Sequence, residues 1–538
     1  MTIQSPYQKF ATILQNAFER AGWGELDDAA AQSSISFCEI EFGDFASNLA
    51  LSQAKQLSKS PREIADAFVA ILSENEEILS AKVAGPGFIN VRLAKSVWAD
   101  YANDLSKDFF RRPSTGKKVN VEFVSANPTG PLVLVNAWGG YYGDVLANIY
   151  DSQGWAVTRE YYLNNGGNQI AQLGRAVQQA AGKAFTEEES AELYRGPYID
   201  TLAAEMIADR GSAQAVCEAE PQEVGDVAQE RIFETLIKPT LKRLQIQFDV
   251  VTPETTLDNP RTLERLRKAG AIIEEDGATW LSGATAGLEQ NEVLVRSYDK
   301  QETYFLKDIT YQASKLEERG FDRAITIVGP DHHGQEKRLL AALAALGMDG
   351  FVPLWTQAVR LIKDGEEFKM SKRRGNYIVL DDFLEKVPSD TARFFFAMRD
   401  PSSHFDLDLD VVTAQNKHNP LFYVMYAYVR SQSVLAKAET KAGRVSAGLL
   451  DQVEVNLFRT IIDLDQKIAN AISSHQVNSV LHGFIGLASL YHDWYEQHPI
   501  LKAESDELLA HRLALVTQYA TVCRGLFELI GITPLENM

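Results

Sequence analysis

The fold of this chain is decided by residues 118–131, which read KVNVEFVSANPTGP. The first seven of these residues are typical of a buried β-strand, and the two prolines and the glycine after them disfavour regular structure. A helical pattern follows from Gly139 to Gln153. A strand, a Gly/Pro turn and a helix in this order open a doubly wound parallel sheet, in which ligands bind beyond the carboxyl end of the strand. We therefore predict a Rossmann-type domain.

A second unit of the same kind occurs later, where strand-like residues 323–330 precede an Ala- and Leu-rich helical stretch at 335–346. Together the two units predict one doubly wound domain at 113–404. Residues 181–240 hold thirteen acidic and five basic side chains, and so polar a segment is most simply a solvated insertion. We predict a helical acidic insertion at about 175–290.

The two ends of the chain differ from its centre. Residues 1–112 mix helical and strand patterns, which predicts an α+β domain. From residue 405 onward, apolar residues recur at helical spacing in four long stretches, which predicts an all-α bundle at 405–538. The chain is thus predicted to be an α/β multidomain protein, with a Rossmann-type doubly wound parallel sheet between an α+β N-terminal domain and a C-terminal helical bundle.

The 538 residues include 73 acidic and 53 basic side chains, for a formal net charge of −20. A field of this sign excludes a basic coat for nucleic acid and a polybasic anchor for an anionic membrane. Three widely spaced cysteines argue against a disulfide framework or structural zinc. The DHH triplet at 331–333 could contribute metal ligands, but no third ligand stands at a suitable spacing from it, so we predict no metal site. Neither a signal-peptide pattern nor a bilayer-spanning stretch is visible, so we expect a cytoplasmic protein with no membrane partner.

The strongest local motif is FKMSKRRGN at residues 368–376. Six basic and three acidic residues lie between Arg360 and Arg374. By composition alone, a solvated basic loop is the simpler interpretation. The alternative is a flexible clamp, in which two lysines three residues apart place ammonium groups on a polyphosphate.

The string Lys369-Met370-Ser371-Lys372 matches the lysine signature of class I aminoacyl-tRNA synthetases, and the chain resembles arginyl-tRNA synthetases in particular. The resembling blocks follow the family's order over nearly the whole chain. They are GDFASN at 43–48, GPGFIN at 85–90, VEFVSANPTGPL at 121–132, TREYYLNNGGNQI at 158–170, YFLKDITY at 304–311, VGPDHHG at 328–334, RFFF at 393–396, HNP at 418–420 and IGITPLENM at 530–538.

This resemblance implies ATP-dependent attachment of L-arginine to tRNA(Arg) through arginyl-adenylate, with Mg²⁺ accompanying ATP. The N-terminal domain would contact tRNA, the central domain would be catalytic, and the helical bundle would bind the anticodon. A monomer is expected.

The resemblance also implies residue roles. Catalysis would involve Lys369, Lys372 and Asn136, with the two lysines holding the leaving pyrophosphate. The arginine pocket would consist of Glu122, Ser125, Asn127, Tyr304, Asp308 and His332. ATP would contact Pro131, Leu132, Val133, Asn136, Gly139, Gly140, Met370 and Ser371. The tRNA would be contacted by Phe88, Asn90, Tyr423 and Tyr426.

Chemistry supports some of these roles, while for several residues a purely structural role is the alternative. A guanidinium needs buried carboxylates of planar complementarity, so Asp308 is its natural partner, while Glu122 and Asn127 would hold the head group. From spacing alone, however, Asp308 is more simply a helix N-cap. Likewise, Tyr423 and Tyr426 could be core aromatics instead of surfaces that stack on splayed bases.

The sequence departs from the family at one important place. Class I enzymes carry a His-x-Gly-His signature after the Pro-Leu pair, and this chain has Val133, Leu134, Val135 and Asn136 there. Both imidazoles are absent, and only the Asn136 amide offers a side-chain donor to the ATP phosphates. Val135 also replaces the family's glycine beside adenine. Three hypotheses follow: an active arginine–tRNA ligase, a catalytically impaired paralogue that binds tRNA or arginine, and an enzyme for another amino acid.

Overall fold

The N-terminal part of the chain forms an antiparallel sheet covered by helices. The computed structural model describes residues 4–106, 108–329, 334–368 and 378–538. The first elements are α1 (Pro6–Arg20), α2 (Asp28–Ser33), β1 (Ile35–Phe37), β2 (Phe45–Ser47), α3 (Leu49–Leu57), α4 (Pro61–Leu72), β3 (Ile78–Ala84), β4 (Phe88–Leu93) and α5 (Lys95–Asp104). The strands pair antiparallel in the order β1-β2-β4-β3. Strand β4 buries Ile89, Val91 and Leu93, so Phe88 and Asn90 lie on its solvent-facing side.

The central part alternates strands and helices. Its first half contains β5 (Lys118–Glu122), α6 (Leu134–Ser152), β6 (Ala156–Leu163), α7 (Asn168–Ala180), α8 (Glu187–Ala191), α9 (Pro197–Arg210), α10 (Ala213–Glu218), α11 (Pro221–Ile232), a π-helical turn (Phe233–Ile237), α12 (Lys238–Arg243) and β7 (Val250–Pro253). After a 3₁₀ turn (Glu254–Thr256), its second half contains α13 (Asn259–Lys268), β8 (Ile272–Glu275), β9 (Ala278–Leu281), α14 (Gly283–Ala286), β10 (Glu292–Val295), α15 (Tyr304–Ala313), a π-helical turn (Ser314–Glu318), β11 (Arg323–Val328), α16 (Gln335–Ala345), β12 (Phe351–Trp355), β13 (Val359–Lys363), β14 (Glu366–Glu367), α17 (Leu380–Leu384), α18 (Ser389–Ala397), β15 (Phe405–Asp408) and α19 (Leu409–Val412).

Five of these strands form one parallel sheet in the order β12-β11-β5-β6-β7. From β5 the chain adds β6 and β7 on one side and then β11 and β12 on the other, so the winding reverses between β5 and β11. Ligands bind at the carboxyl ends of the strands beside such a reversal. The predicted Rossmann-type fold is confirmed, and the residues that follow Glu122 and Val328 stand at its crevice.

Two local predictions about the central part were wrong. Helix α6 begins at Leu134 and not at Gly139, because the Asn136 side chain accepts a hydrogen bond from the Val133 amide (2.8 Å) and caps the helix from within. The insertion at 175–290 is not helical throughout, since it contains β7 of the parallel sheet and strands β8 and β9 of the separate sheet β10-β9-β8. Strand β7 has only four residues, and at that length periodicity does not separate a strand from a helix.

The C-terminal part is a bundle of four long helices. They are α20 (Pro420–Lys437), α21 (Gln452–Ser474), α22 (Asn478–Gln497) and α23 (Asp506–Leu529). The predicted helical bundle is confirmed, although residues 405–412 lie outside it, because β15 pairs in parallel with β13 and α19 follows directly. Within the described residues, every helix is too short or too polar to span a lipid bilayer.

The turn between α21 and α22 joins the bundle to the central part. Tyr142 of α6 donates its hydroxyl hydrogen to the His475 carbonyl (2.5 Å), and Tyr150 donates to the Ile472 carbonyl (2.8 Å). Arg323, the first residue of β11, also donates to the Ile472 carbonyl (2.6 Å). Since α6 and β11 both border the crevice, this turn connects the bundle to the elements that carry the site.

Candidate active site

A cavity of about 390 Å³ opens at the carboxyl ends of β5, β6 and β11. It brings together five of the residues predicted for the arginine pocket: Glu122, Ser125, Asn127, Tyr304 and Asp308. Asn127 is exposed at the rim. The sixth predicted residue, His332, lies outside the described residues. The wall also contains residues for which no role was predicted, among them Tyr162, Glu254, Tyr311 and Gln312.

Asp308 presents the cavity with an unsatisfied carboxyl. It lies in the second turn of α15, whose N-terminus is capped by Thr303, so Asp308 is not the N-cap that its spacing alone predicts. Burial and the carboxylates of Glu122 and Glu254 raise the pKa of Asp308 to about 7. Among the described residues, none hydrogen-bonds to this carboxyl or pairs with it. A bound cation would favour its ionised form.

Glu254 is a second carboxyl in the same wall, and the sequence reasoning missed it. It is 4% exposed and accepts hydrogen bonds from Lys307 Nζ (2.5 Å) and the Tyr162 hydroxyl (3.2 Å). Lys307 Nζ also lies 5.3 Å from the centre of the Tyr304 ring. Gly167, at φ +78°, leaves room for that ring, since a Cβ there would come within 2.7 Å of the Tyr304 hydroxyl oxygen. The sequence signal that could have indicated Glu254 is its position, because it is the first residue after β7 and so lies at the carboxyl end of a parallel strand.

Glu122 is the last residue of β5 and is 4% exposed. Its Oε1 accepts a hydrogen bond from Ser125 Oγ (3.2 Å). Its Oε2 accepts hydrogen bonds from Lys315 Nζ (2.6 Å), Thr326 Oγ1 (2.8 Å) and Gln312 Nε2 (3.4 Å). The chain turns sharply after it, with φ +67° at Val124 and +39° at Ser125, a left-handed conformation that is strained for a β-branched residue. This turn brings the Ser125 hydroxyl back to the carboxylate.

Residues 132–134 pair with the chain that follows the predicted lysine motif. The Leu134 amide donates to the Ile378 carbonyl (3.0 Å), and the Leu380 amide donates to the Leu132 carbonyl (2.9 Å). The predicted Lys369, Met370, Ser371 and Lys372 lie outside the described residues. Ile378 comes six residues after the second lysine, so the described chain that follows the lysine motif lies beside the start of α6.

Three family profiles match consecutive parts of the chain. The arginyl tRNA synthetase N-terminal domain matches residues 8–93, the catalytic domain of class I (R) tRNA synthetases matches residues 104–396, and the DALR anticodon binding domain matches residues 424–538. An arginine–tRNA ligase of Heliobacterium modesticaldum is 37% identical, in a match that covers 93% of this chain and 92% of that protein. The chain belongs to the arginyl-tRNA synthetase family.

Two further comparisons extend this match. An arginine–tRNA ligase of Carboxydothermus hydrogenoformans is 35% identical, and the match covers 98% of each protein. The arginyl-tRNA synthetase structure from Thermus thermophilus superposes with a TM-score of 0.78 at 20% identity, over 99% of this chain and 100% of that one. At that identity the superposition shows a shared fold. The order of an N-terminal domain, a Rossmann-type domain and a helical DALR domain is therefore that of the family.

The predicted ATP contacts around α6 remain predictions, but several of these residues pack against the sheet. A Cβ at Gly140 would lie 3.0 Å from Ile246 and 3.2 Å from Val124, so the glycine allows a close approach of helix and sheet. Gly139 is likewise buried. Trp138 is fully buried, with its ring centre 5.4 Å from that of Phe405. Of the remaining members, Leu132 is buried, and Pro131, Val133 and Asn136 are partly exposed.

The residues predicted to contact tRNA in the N-terminal domain share one face of its sheet. Phe88 is 39% exposed, and Asn90 and Arg92 follow on the same side of β4. Lys82 is the cross-strand partner of Asn90. An exposed ring beside two cationic side chains suits the arginyl-tRNA synthetase family, because RNA offers stackable bases and phosphates.

The predicted tyrosines of the bundle border a second cavity of about 360 Å³. Tyr426 is 41% exposed, stacks on His492 (5.8 Å between ring centres, 22° between planes) and carries the Arg430 guanidinium 4.7 Å from its ring centre. Tyr423 is partly buried, with its ring centre 4.6 Å from that of His492. Tyr428 is 2% exposed and belongs to the core. Of the three tyrosines, only Tyr426 therefore presents a widely exposed ring.

Proposed function

We propose that this protein attaches L-arginine to tRNA(Arg) with ATP, through an arginyl-adenylate. The unpaired carboxyl of Asp308, in a cavity shared with Glu254, carries this proposal. A guanidinium is planar, always protonated and matched to carboxylate oxygens, so arginine satisfies the charge that the cavity leaves open. The family of the chain supports the same substrate.

Arginine would lie across the cavity with its two ends held separately. The guanidinium would meet Asp308, with the Tyr304 ring beside it, and the head group would meet Glu122 and Asn127. Glu122 is the last residue of β5, and Asn127 lies in the turn between β5 and the start of α6, where ATP is proposed to bind. The reacting carboxylate of arginine would therefore be placed next to the ATP phosphates, and positioning of this kind accounts for much of the catalysis.

In the first step a carboxylate oxygen of arginine attacks the α-phosphorus of ATP, and pyrophosphate leaves. In the second step a terminal ribose hydroxyl of tRNA attacks the carbonyl carbon of the adenylate, and AMP leaves. Lys369 and Lys372 would hold the departing pyrophosphate, as their charge stabilises the transition state. Asn136 uses its Oδ1 on the Val133 amide, which leaves its Nδ2 for a phosphate. ATP would enter as its Mg²⁺ complex.

The contacts with tRNA are part of the same proposal. Phe88 and Asn90 would meet one region of the tRNA, and Tyr423 and Tyr426 would stack on anticodon bases in the bundle. Residues 1–112 would therefore contact tRNA, residues 113–404 would carry out catalysis, and residues 405–538 would bind the anticodon. A monomer is also proposed. The three free cysteines support a reducing, cytoplasmic location. We also propose that the first step needs tRNA to be present.

A charging assay over all twenty amino acids tests the function. The purified protein, ATP and tRNA(Arg), given each amino acid in turn, should yield arginyl-tRNA and no other aminoacyl-tRNA. Charging of a different amino acid would contradict the substrate assignment. Binding of tRNA without any charging would instead indicate an impaired paralogue, and the combined variant Val133→His, Val135→Gly and Asn136→His should then restore activity.

A further inference from the structure

Lys315 places an ammonium group in the protein interior directly beneath the arginine cavity. Its side chain is 0% exposed, its Nζ lies 2.6 Å from Glu122 Oε2, and the same Nζ lies 4.0 Å from the centre of the Tyr311 ring. Burying a charge is costly unless the group is paired and hydrogen-bonded. Lys315 and Glu122 therefore form a buried ion pair in which each charge compensates the other.

The local helix geometry explains why this lysine faces the site. Asp308, Tyr311 and Lys315 follow one another at spacings of three and four residues, so they share one face of α15 and its extension. From Ser314 to Glu318 the helix changes to π geometry, a local widening that is frequent at functional sites. One helical face thus carries a cavity carboxyl, an aromatic ring of the wall and the buried ammonium.

The two oxygens of Glu122 have different surroundings. Oε2 receives three donors from the protein, and the strongest of them is the Lys315 ammonium. Among the described residues, Oε1 receives a hydrogen bond only from the Ser125 hydroxyl, at 3.2 Å, and an ionised carboxylate oxygen accepts about two hydrogen bonds. Since Glu122 lines the cavity, Oε1 is the atom that can still accept a hydrogen bond from a ligand.

We propose that Lys315 is a positioning residue, which holds Glu122 with Oε2 turned into the protein and Oε1 presented to the α-ammonium of arginine. This inference rests on the proposed arginine site. It adds that recognition of the head group depends on a lysine that never touches the substrate. Lys307 is paired with Glu254 in the same cavity, so each of these two buried carboxylates has its own lysine, and Asp308 remains for the guanidinium.

The test compares two ligands that differ by one group, L-arginine and 5-guanidinopentanoate, which lacks the α-amino group. Their Kd values are measured by calorimetry on the full chain. Wild-type protein should prefer arginine by about 10- to 100-fold, the range of one hydrogen bond between charged groups. Lys315→Met should lose most of that preference while binding 5-guanidinopentanoate within about threefold of wild type. In pyrophosphate exchange with tRNA(Arg) present, KM for arginine should rise while kcat and KM for ATP stay unchanged.

Two further variants keep the test decisive. Lys315→Gln retains a hydrogen-bond donor without the charge, so it should also lose the preference, and it replaces Lys315→Met if that variant does not fold. Lys268→Met removes an ammonium that is 74% exposed on α13 and should behave as wild type. Retained preference for arginine in the Lys315 variants would overturn the proposal, and so would tighter arginine binding, because Lys315 would then be a competitor of the ammonium. Failure of the wild-type protein to bind arginine would instead refute the proposed function.

Discussion

Asp308→Asn is expected to weaken arginine binding strongly while keeping the shape of the cavity. The amide has nearly the size of the carboxyl but carries no charge, and Asp308 is the cavity carboxyl that no described residue pairs. Removing one partner of a buried, hydrogen-bonded charge pair costs about 2–5 kcal/mol. The Kd for arginine should therefore rise by about 30-fold or more.

The raised pKa of Asp308 adds a pH dependence that the variant should lack. With a pKa of about 7, this carboxyl is half ionised at pH 7 in the empty cavity, and arginine binds its ionised form. At pH 6 only about one molecule in eleven is ionised, so the affinity of wild-type protein should fall about fivefold from pH 7 to pH 6. Asp308→Asn has no titrating group at this position, so its weaker binding should stay flat over the same range.

The same carboxyl should affect the stability of the free protein with a definite sign. The folded-state pKa of Asp308 lies above its unfolded value, so the ionised group destabilises the fold as pH rises from about 4 to about 7. Asp308→Asn should therefore raise the free energy of unfolding at pH 8. The gain should largely disappear at pH 4, where the folded-state carboxyl is protonated and the unfolded-state carboxyl is only about half ionised.

Calorimetric titration with arginine at pH 6, 7 and 8 measures the binding effects, and urea unfolding at pH 4 and 8 measures the stability. Asp66→Asn is a matched control, since that carboxyl is 59% exposed on α4 and pairs only with Arg62 at 3.7 Å. Arginine binding by Asp308→Asn within threefold of wild type would refute the assignment of the guanidinium to Asp308. A flat pH profile in the wild-type protein would refute the link between binding and the ionised carboxyl.

Three other substitutions probe separate parts of the molecule. Asn136→Ala should lower the free energy of unfolding in urea by about 1 kcal/mol, the usual cost of losing a helix cap; an unchanged midpoint would contradict the capping contact. Tyr426→Ala should weaken the binding free energy for tRNA by about 1–3 kcal/mol, the contribution of one base–aromatic stack, as measured by filter binding. Tyr428→Phe, in the core, should leave tRNA binding unchanged in the same assay. Tyr142→Phe removes the hydroxyl that donates to the His475 carbonyl at 2.5 Å. Thermal unfolding should therefore show that the free energy of unfolding falls by about 0.5–1.5 kcal/mol. An unchanged free energy of unfolding would mean that this hydrogen bond adds nothing to stability.

The large features of the fold follow from local patterns. The strand at 118–122 and its Gly/Pro turn predict the parallel sheet, because this order of elements has few other uses. The four C-terminal helices carry an apolar face over many turns, so their bounds could be predicted within a few residues. Short elements resist such reasoning. Strand β7 has no period of its own, and its neighbours in the sheet are what make it a strand.

The residues of the site likewise fall into those that the sequence predicts and those that it does not. Asp308 and Tyr304 could be predicted because they stand in a recognisable block of sequence, and the structure places both at the cavity. Glu254 could not, since its only cue is the end of a strand that is itself hard to predict. The start of α6 was misplaced because caps are expected just before a helix, whereas Asn136 caps from the third residue inside it. Lys315 depends on a π turn that no composition indicates.

The strand order has a consequence for folding during synthesis of the protein on the ribosome. Strand β5 meets β6 soon after it is made, but Val119 must wait for Arg323, about 200 residues later, before its other side is covered. At about 5–20 residues per second this takes about 10–40 s, and an open strand edge attracts other chains. The acidic residues 181–240 emerge during that interval. Because like charges repel, this segment should oppose pairing of the bare edge with a neighbouring nascent chain.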